Sequence, residues 1–135
     1  MSKRSNSRKL AMRMLYQLDI RQLELATIFN DLEKDKYAEE TIDWAFELAS
    51  ITNTNLNDID GHIAKLSIDW ESDRINHIDK ALLRMGMAEI NYIGTPYQVV
   101  INEILELSKE YSTEESAKFI NGILDKFVKE TCSPD

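Results

Sequence analysis

Apolar residues recur at intervals of three and four along most of this chain, the spacing of helices that bury one face. Over residues 5–20, Leu10, Ala11, Met14, Leu15 and Leu18 form one stripe, while Arg4 with Arg8 and Lys9 with Arg13 stand four apart on the polar side. Leu23, Leu25, Ile28 and Phe29 predict a short second helix over 22–29. Residues 30–40 are charged and nearly devoid of apolar side chains, which predicts an exposed connection. The spacing resumes over 38–51 through Ile42, Ala45, Phe46 and Ala49, with Trp44 at its margin. Asn53, Asn55 and Asn57 favour a break, and Leu56, Ile59, Ile63 and Leu66 then predict a short amphipathic helix containing Gly61.

In the second half, Ser72 or Asp73 can cap a helix whose apolar face is Ile78, Leu82, Met85 and Ile90. Gly86 would let a neighbour approach closely, and Asp79, Lys80 and Arg84 would point outward or to an interface. Residues 93–96 punctuate the chain. Pro96 can open the next helix, with Val100, Ile104, Leu107 and Tyr111 on one face. Thr113 is the expected N-cap of the last helix, followed by Glu114 and Glu115, where the positive helix end favours carboxylates. Its stripe is Ile120, Ile123, Leu124, Phe127 and Val128, with Phe119 at the border beside Lys118. Asn121 followed by Gly122 is a hairpin signal in isolation, but the flanking spacing is helical, so Gly122 is expected to admit another helix or a ligand.

The 135 residues suit one domain able to bury a real core, and four Gly and two Pro leave little turn material for an all-β fold. The expected class is all-α. A single cysteine, Cys132, cannot make an internal disulfide, which fits a reducing compartment. With no apolar run near the roughly 18 residues that span a bilayer, and no apolar leader, a cytoplasmic protein without membrane contact is expected.

Net charge of −8 argues against sequence-blind attraction of nucleic acid, yet the charge is uneven. Within residues 1–21, Lys3, Arg4, Arg8, Lys9, Arg13 and Arg21 stand against Asp19 alone, a local +5 that leaves −13 on the remainder. A basic arm on an acidic body can place phosphate contacts locally and suits a basic protein partner. By pattern alone that arm is equally a solvated face, Tyr16 is a boundary tyrosine, Phe119 is more a core residue than a stacking platform, and Lys118 and Asn121 are surface polar groups. No phosphate-binding glycine loop, nucleophile elbow or run of Cys and His is present, so catalysis and a cofactor are not expected. His62 has only Asp58 at helical spacing and His77 only the nearby Asp73, so no metal site is expected either.

Three stretches change the picture. Ala81, Leu82, Leu83, Arg84, then Pro96, Tyr97 and Val99 to Glu103, then Ser116 to Lys126 give a sequence that resembles the NusB family of bacterial transcription antitermination factors over nearly its whole length. The basic opening helix ending in Leu15 and Tyr16 agrees. The resemblance implies two small helical bundles, about 1–70 and 71–131, within one RNA-binding domain. It also implies a partner, NusE, which is a protein of the small ribosomal subunit, and joint binding of the single-stranded boxA element of nascent RNA, so that RNA polymerase in its antitermination complex reads through terminators, notably in ribosomal RNA operons. By matching position, Arg4, Arg8, Tyr16, Lys118, Phe119 and Asn121 become the RNA-side residues, and Asp79 and Tyr16 the partner-binding edge. Self-association into a homodimer would hide that RNA surface.

The residue types suit the role: Arg and Lys meet phosphates, Phe and Tyr meet base faces, and Asn meets base edges. Ser5, Asn6 and Ser7 replace arginines common in the family, and Gln98 replaces a usual lysine, so RNA binding is expected to lean on the partner. The competing readings are a helical adaptor that binds protein without touching RNA, and a module of an RNA cytosine methyltransferase, for which this chain has no cofactor domain.

Overall fold

A computed structural model of the chain describes residues 3–68 and 75–131, and the described residues form seven α-helices and no strand. These are α1 (Lys3–Arg21), α2 (Leu25–Asn30), α3 (Glu39–Thr54), α4 (Leu56–Leu66), α5 (His77–Ala88), α6 (Tyr97–Tyr111) and α7 (Glu114–Thr131). A 3-10 turn at Lys34–Lys36 precedes α3, and a single π-helical turn at Glu89–Ile93 follows α5.

The architecture is organised around α5, because its sequence is apolar on nearly every side. Ala81, Leu82, Leu83, Met85, Met87 and Ala88 are all at most 2% exposed, and a helix buried all round must have neighbours all round. It packs against α1, α3, α4, α6 and α7, while α1 and α3 lie along each other and α6 pairs with α7. One connected core therefore runs from Leu10 in α1 to Val128 in α7. Gly86 admits this closeness: a Cβ there would stand 3.3 Å from Ile104 Cγ1 and 3.5 Å from Leu124 Cδ2.

Local signals set the helix ends. Gln22 adopts a left-handed φ of 58°, which stops α1 and moves the start of α2 from the expected 22 to Leu25. The break expected across three asparagines falls at Asn55 alone, whose Nδ2 donates to the Ile51 carbonyl; Asn53 and Asn57 are helical. The connection 30–40 is less exposed than its composition suggests, since Leu32 and Tyr37 pack on the core. Asn76 caps α5, its Oδ1 accepting from the Asp79 N–H at 2.8 Å, whereas Ser72, Asp73 and Cys132 lie outside the described residues. Thr113 caps α7 as expected, accepting from the Ser116 N–H at 3.0 Å. Asp79, expected to face outward or to an interface, is 3% exposed and so does not face solvent in the chain by itself. Gly122 is exposed, with nothing within 4 Å of where a Cβ would be, so no second helix is seated there.

Candidate nucleic-acid interface

The basic face of α1 is shaped by what α3, α6 and the π turn set against it. Arg4, at the N-terminal end, is exposed and lays its guanidinium 4.2 Å from the centroid of the Trp44 ring. The groove beside it is lined by Glu40, Asp43 and Glu47 of α3. Arg8, one turn on, points inward. Its Nε donates to Glu89 Oε1 at 2.8 Å and an NH2 group to Glu89 Oε2 at 2.6 Å, a bidentate pair in which the two side chains are 3% and 0% exposed. Burial acts to lower the Arg8 pKa, but the hydrogen bonds it donates to Glu89 and the charges of Glu89 and Glu103 outweigh it and hold the group above its ordinary value. Arg8 is thus a permanent charge spent on the interior.

The sequence signal for this was available. Arg8 lies three, four and seven residues before Ala11, Met12 and Leu15, which puts it on the apolar stripe, and Glu89 is a lone acid in an apolar run. A buried carboxylate needs a buried cation.

The C-terminal half of α1 makes a different surface. Tyr16 is half-buried and meets the ring of His77 edge to face, with centroids 6.4 Å apart. Both line a shallow concavity with Asn76, Tyr111, Ser112 and Thr113, so the end of α1, the start of α5 and the α6–α7 junction meet in one place. Asp79 lies behind this rim, and its Oδ1 has no hydrogen-bond partner among the described residues. His77 contacts the Asp19 carboxylate through Nδ1, and Lys80 and Arg84 approach the same carboxylate at 3.7 and 3.5 Å; Asp73 lies outside the described residues. Arg84 also forks onto Asp60 of α4 at 2.9 and 2.8 Å. That chain of charges joins α1 and α4 to α5 through residues far apart in sequence, which no local pattern marks.

Lys118 and Asn121 are exposed on α7, and Phe119 is half-buried with one side against the core. At 1.5 Å per residue they stand about 8–12 Å along the helix from Thr113. The structure therefore brings Tyr16 to the root of the helix that bears Lys118, Phe119 and Asn121. Arg4 sits about 18 Å from Tyr16 along α1 by the same rise, beside acidic α3. Among the described residues there is no group of three or more His, Cys, Asp or Glu that could hold a metal ion, and no helix is long and apolar enough to cross a membrane.

Comparison with known proteins gives a single answer. The NusB family model matches residues 5–129. The chain is 38% identical to the transcription antitermination protein NusB of Chloroherpeton thalassium over 133 residues, 96% of this chain and 63% of that one. It is 36% identical to the protein of the same name from Thermoanaerobacter sp. (strain X514), covering 94% of this chain and 91% of that one. Its fold matches a solved structure of antitermination factors NusB and NusE in complex with double-stranded RNA at a TM-score of 0.87, with 26% identity over 96% of this chain and 98% of that one.

Proposed function

The chain belongs to the NusB family, and on that premise we propose that it is a transcription antitermination factor that binds boxA-type single-stranded RNA together with NusE, promoting read-through in ribosomal RNA operons. The observation that carries this reading is the family match over residues 5–129, joined to a concavity where Tyr16 meets the root of α7. Arg4 and Lys118, both exposed, are the phosphate contacts; Phe119 and Tyr16 offer ring faces; Asn121 reads a base edge. Tyr16 and Asp79 form the partner edge, Tyr16 at the surface and Asp79 behind it. Arg8 contributes by holding α1 to the interior, since Glu89 and Glu103 engage its guanidinium. The protein works by binding rather than by catalysis, in the cytoplasm, as one component of the polymerase complex.

Fluorescence anisotropy with boxA, scrambled and duplex RNA, each with and without NusE, tests the proposal. Weak binding alone and tighter, sequence-dependent single-strand binding with NusE is the expected result. Equal affinity of the complex for boxA and scrambled RNA would overturn it. The adaptor reading draws on the carboxylates beside α1, and it predicts NusE binding with no RNA contact from this chain under any salt condition.

A further inference from the structure

The polar side of α1 that faces α6 is occupied. Ser5 Oγ donates to Glu103 Oε1 at 2.9 Å, and Arg8 NH1 lies 3.4 Å from the same oxygen. Lys9 Nζ lies 3.4 Å from Glu110 Oε1, and an Arg13 NH2 group lies 3.4 Å from the Tyr111 hydroxyl. Glu106 lines the same groove between the two carboxylates. Among the described side chains, Arg8, Lys9 and Arg13 of α1 therefore each already meet an oxygen of α6.

We infer that Glu103 and Glu110 are specificity determinants for RNA, standing where phosphates would otherwise lie along α1 and so suppressing sequence-blind binding. The inference rests on the RNA-binding reading above. A carboxylate and a phosphate offer a cation the same kind of anionic oxygen, so a phosphate reaching Lys9 must first displace Glu110. A strand held by its backbone alone depends on such exchanges and loses most from them. A strand whose bases are held at Tyr16 and the root of α7 depends on them less, because those contacts stand seven residues, about 10 Å, along α1 from Lys9. The two carboxylates thus penalise arbitrary sequences more than one recognised by its bases.

The test compares Glu103→Gln/Glu110→Gln with Asp58→Asn/Glu130→Gln, which makes the same change in net charge at the α4 and α7 end, where Asp58 and Glu130 pair with His62 and Lys65. Glutamine keeps an acceptor for Ser5, and circular dichroism verifies an unchanged helix content. Affinities for boxA and scrambled single strands are measured with NusE present across a salt series. The expected result is a rise of about three- to tenfold for scrambled RNA in the α6 variant only, with a salt slope steeper by about 0.7 per freed cation, and a smaller rise for boxA. Unchanged scrambled binding, an equal rise for boxA, or the same rise in the control variant each overturns the inference. Should the parent complex bind no RNA, or not favour boxA, the proposed function itself fails, and the parent titration alone reveals it.

Discussion

At the scale of the residue, Arg8 decides how far a sequence can be trusted for site assignment. Removing its side chain strands Glu89, fully buried, without its cation, so Arg8→Ala should lose about 3–5 kcal/mol by urea denaturation. Replacing both partners with apolar residues of similar size, Arg8→Met with Glu89→Leu, should restore most of that stability; a double variant as unstable as the single one would show that the pair is not the cause. Any RNA defect of Arg8→Ala must therefore be read against its folded fraction. Phe119 poses the same ambiguity from the other side, because its ring is half on the core and half in solvent. Stacking and burial are each worth about 1–3 kcal/mol, so truncation to alanine confounds them. Phe119→Leu separates them: stability near the parent with RNA affinity down about tenfold is expected, and undiminished affinity would return the ring to packing alone. Sequence pattern located Phe119 at a border correctly in kind, but no pattern says which side of a border a ligand will use.

Among the elements, α1, α3, α5, α6 and α7 were legible because each buries a stripe long enough to show its period. Features without a helical period are not legible in this way: Gln22 turning out of α1, Leu32 and Tyr37 packed onto the core, and the π turn whose Glu89 carbonyl accepts from both Gly94 and Thr95. Two of the three helical glycines, Gly122 and Gly86, test how much of an element is local. At Gly122 nothing crowds a Cβ, so Gly122→Ala should stabilise by about 0.5–1 kcal/mol through helix propensity. At Gly86 the same gain meets Ile104 at 3.3 Å in a filled core, and overpacking of about 1–3 kcal/mol should make Gly86→Ala net destabilising. Thermal melts of the pair should move in opposite directions; parallel shifts would mean that the α5–α6 contact yields. The α1–α5 link adds a pH signature. Burial acts to raise the Asp19 carboxyl, but the hydrogen bond with His77 and the charges of Lys80 and Arg84 prevail and hold it below the usual carboxylate range. A depressed carboxyl stabilises the fold above its unfolded value of about 3.9 and ceases to do so as pH falls through the folded value. Asp19→Asn should cost about 1 kcal/mol at pH 5 and progressively less toward pH 3, read from urea midpoints at each pH.

For the whole molecule, the net charge of −8 and the local +5 of residues 1–21 make different statements once the helices are assembled. Counted along the chain, the opening helix is a cationic arm; in space, α3 and α6 lay Glu40, Asp43, Glu47, Glu103 and Glu110 beside it, and Arg8 is withdrawn to the interior. Few cations are left to draw phosphate at a distance, so binding of RNA by this chain alone should depend only mildly on salt. With Arg4 and Lys118 as the exposed contacts, the slope of log K against log salt should be about −1 to −2, given roughly 0.7 per phosphate on a single strand. The acidic body has the opposite consequence for a basic protein partner, which it attracts across its surface, so association with NusE should weaken as salt rises, mainly through a slower on-rate. Stopped-flow mixing at several ionic strengths separates the two effects. A steep RNA slope for the isolated chain would show that the carboxylates beside α1 do not engage its cations, and partner association indifferent to salt would show that the acidic body does not steer NusE.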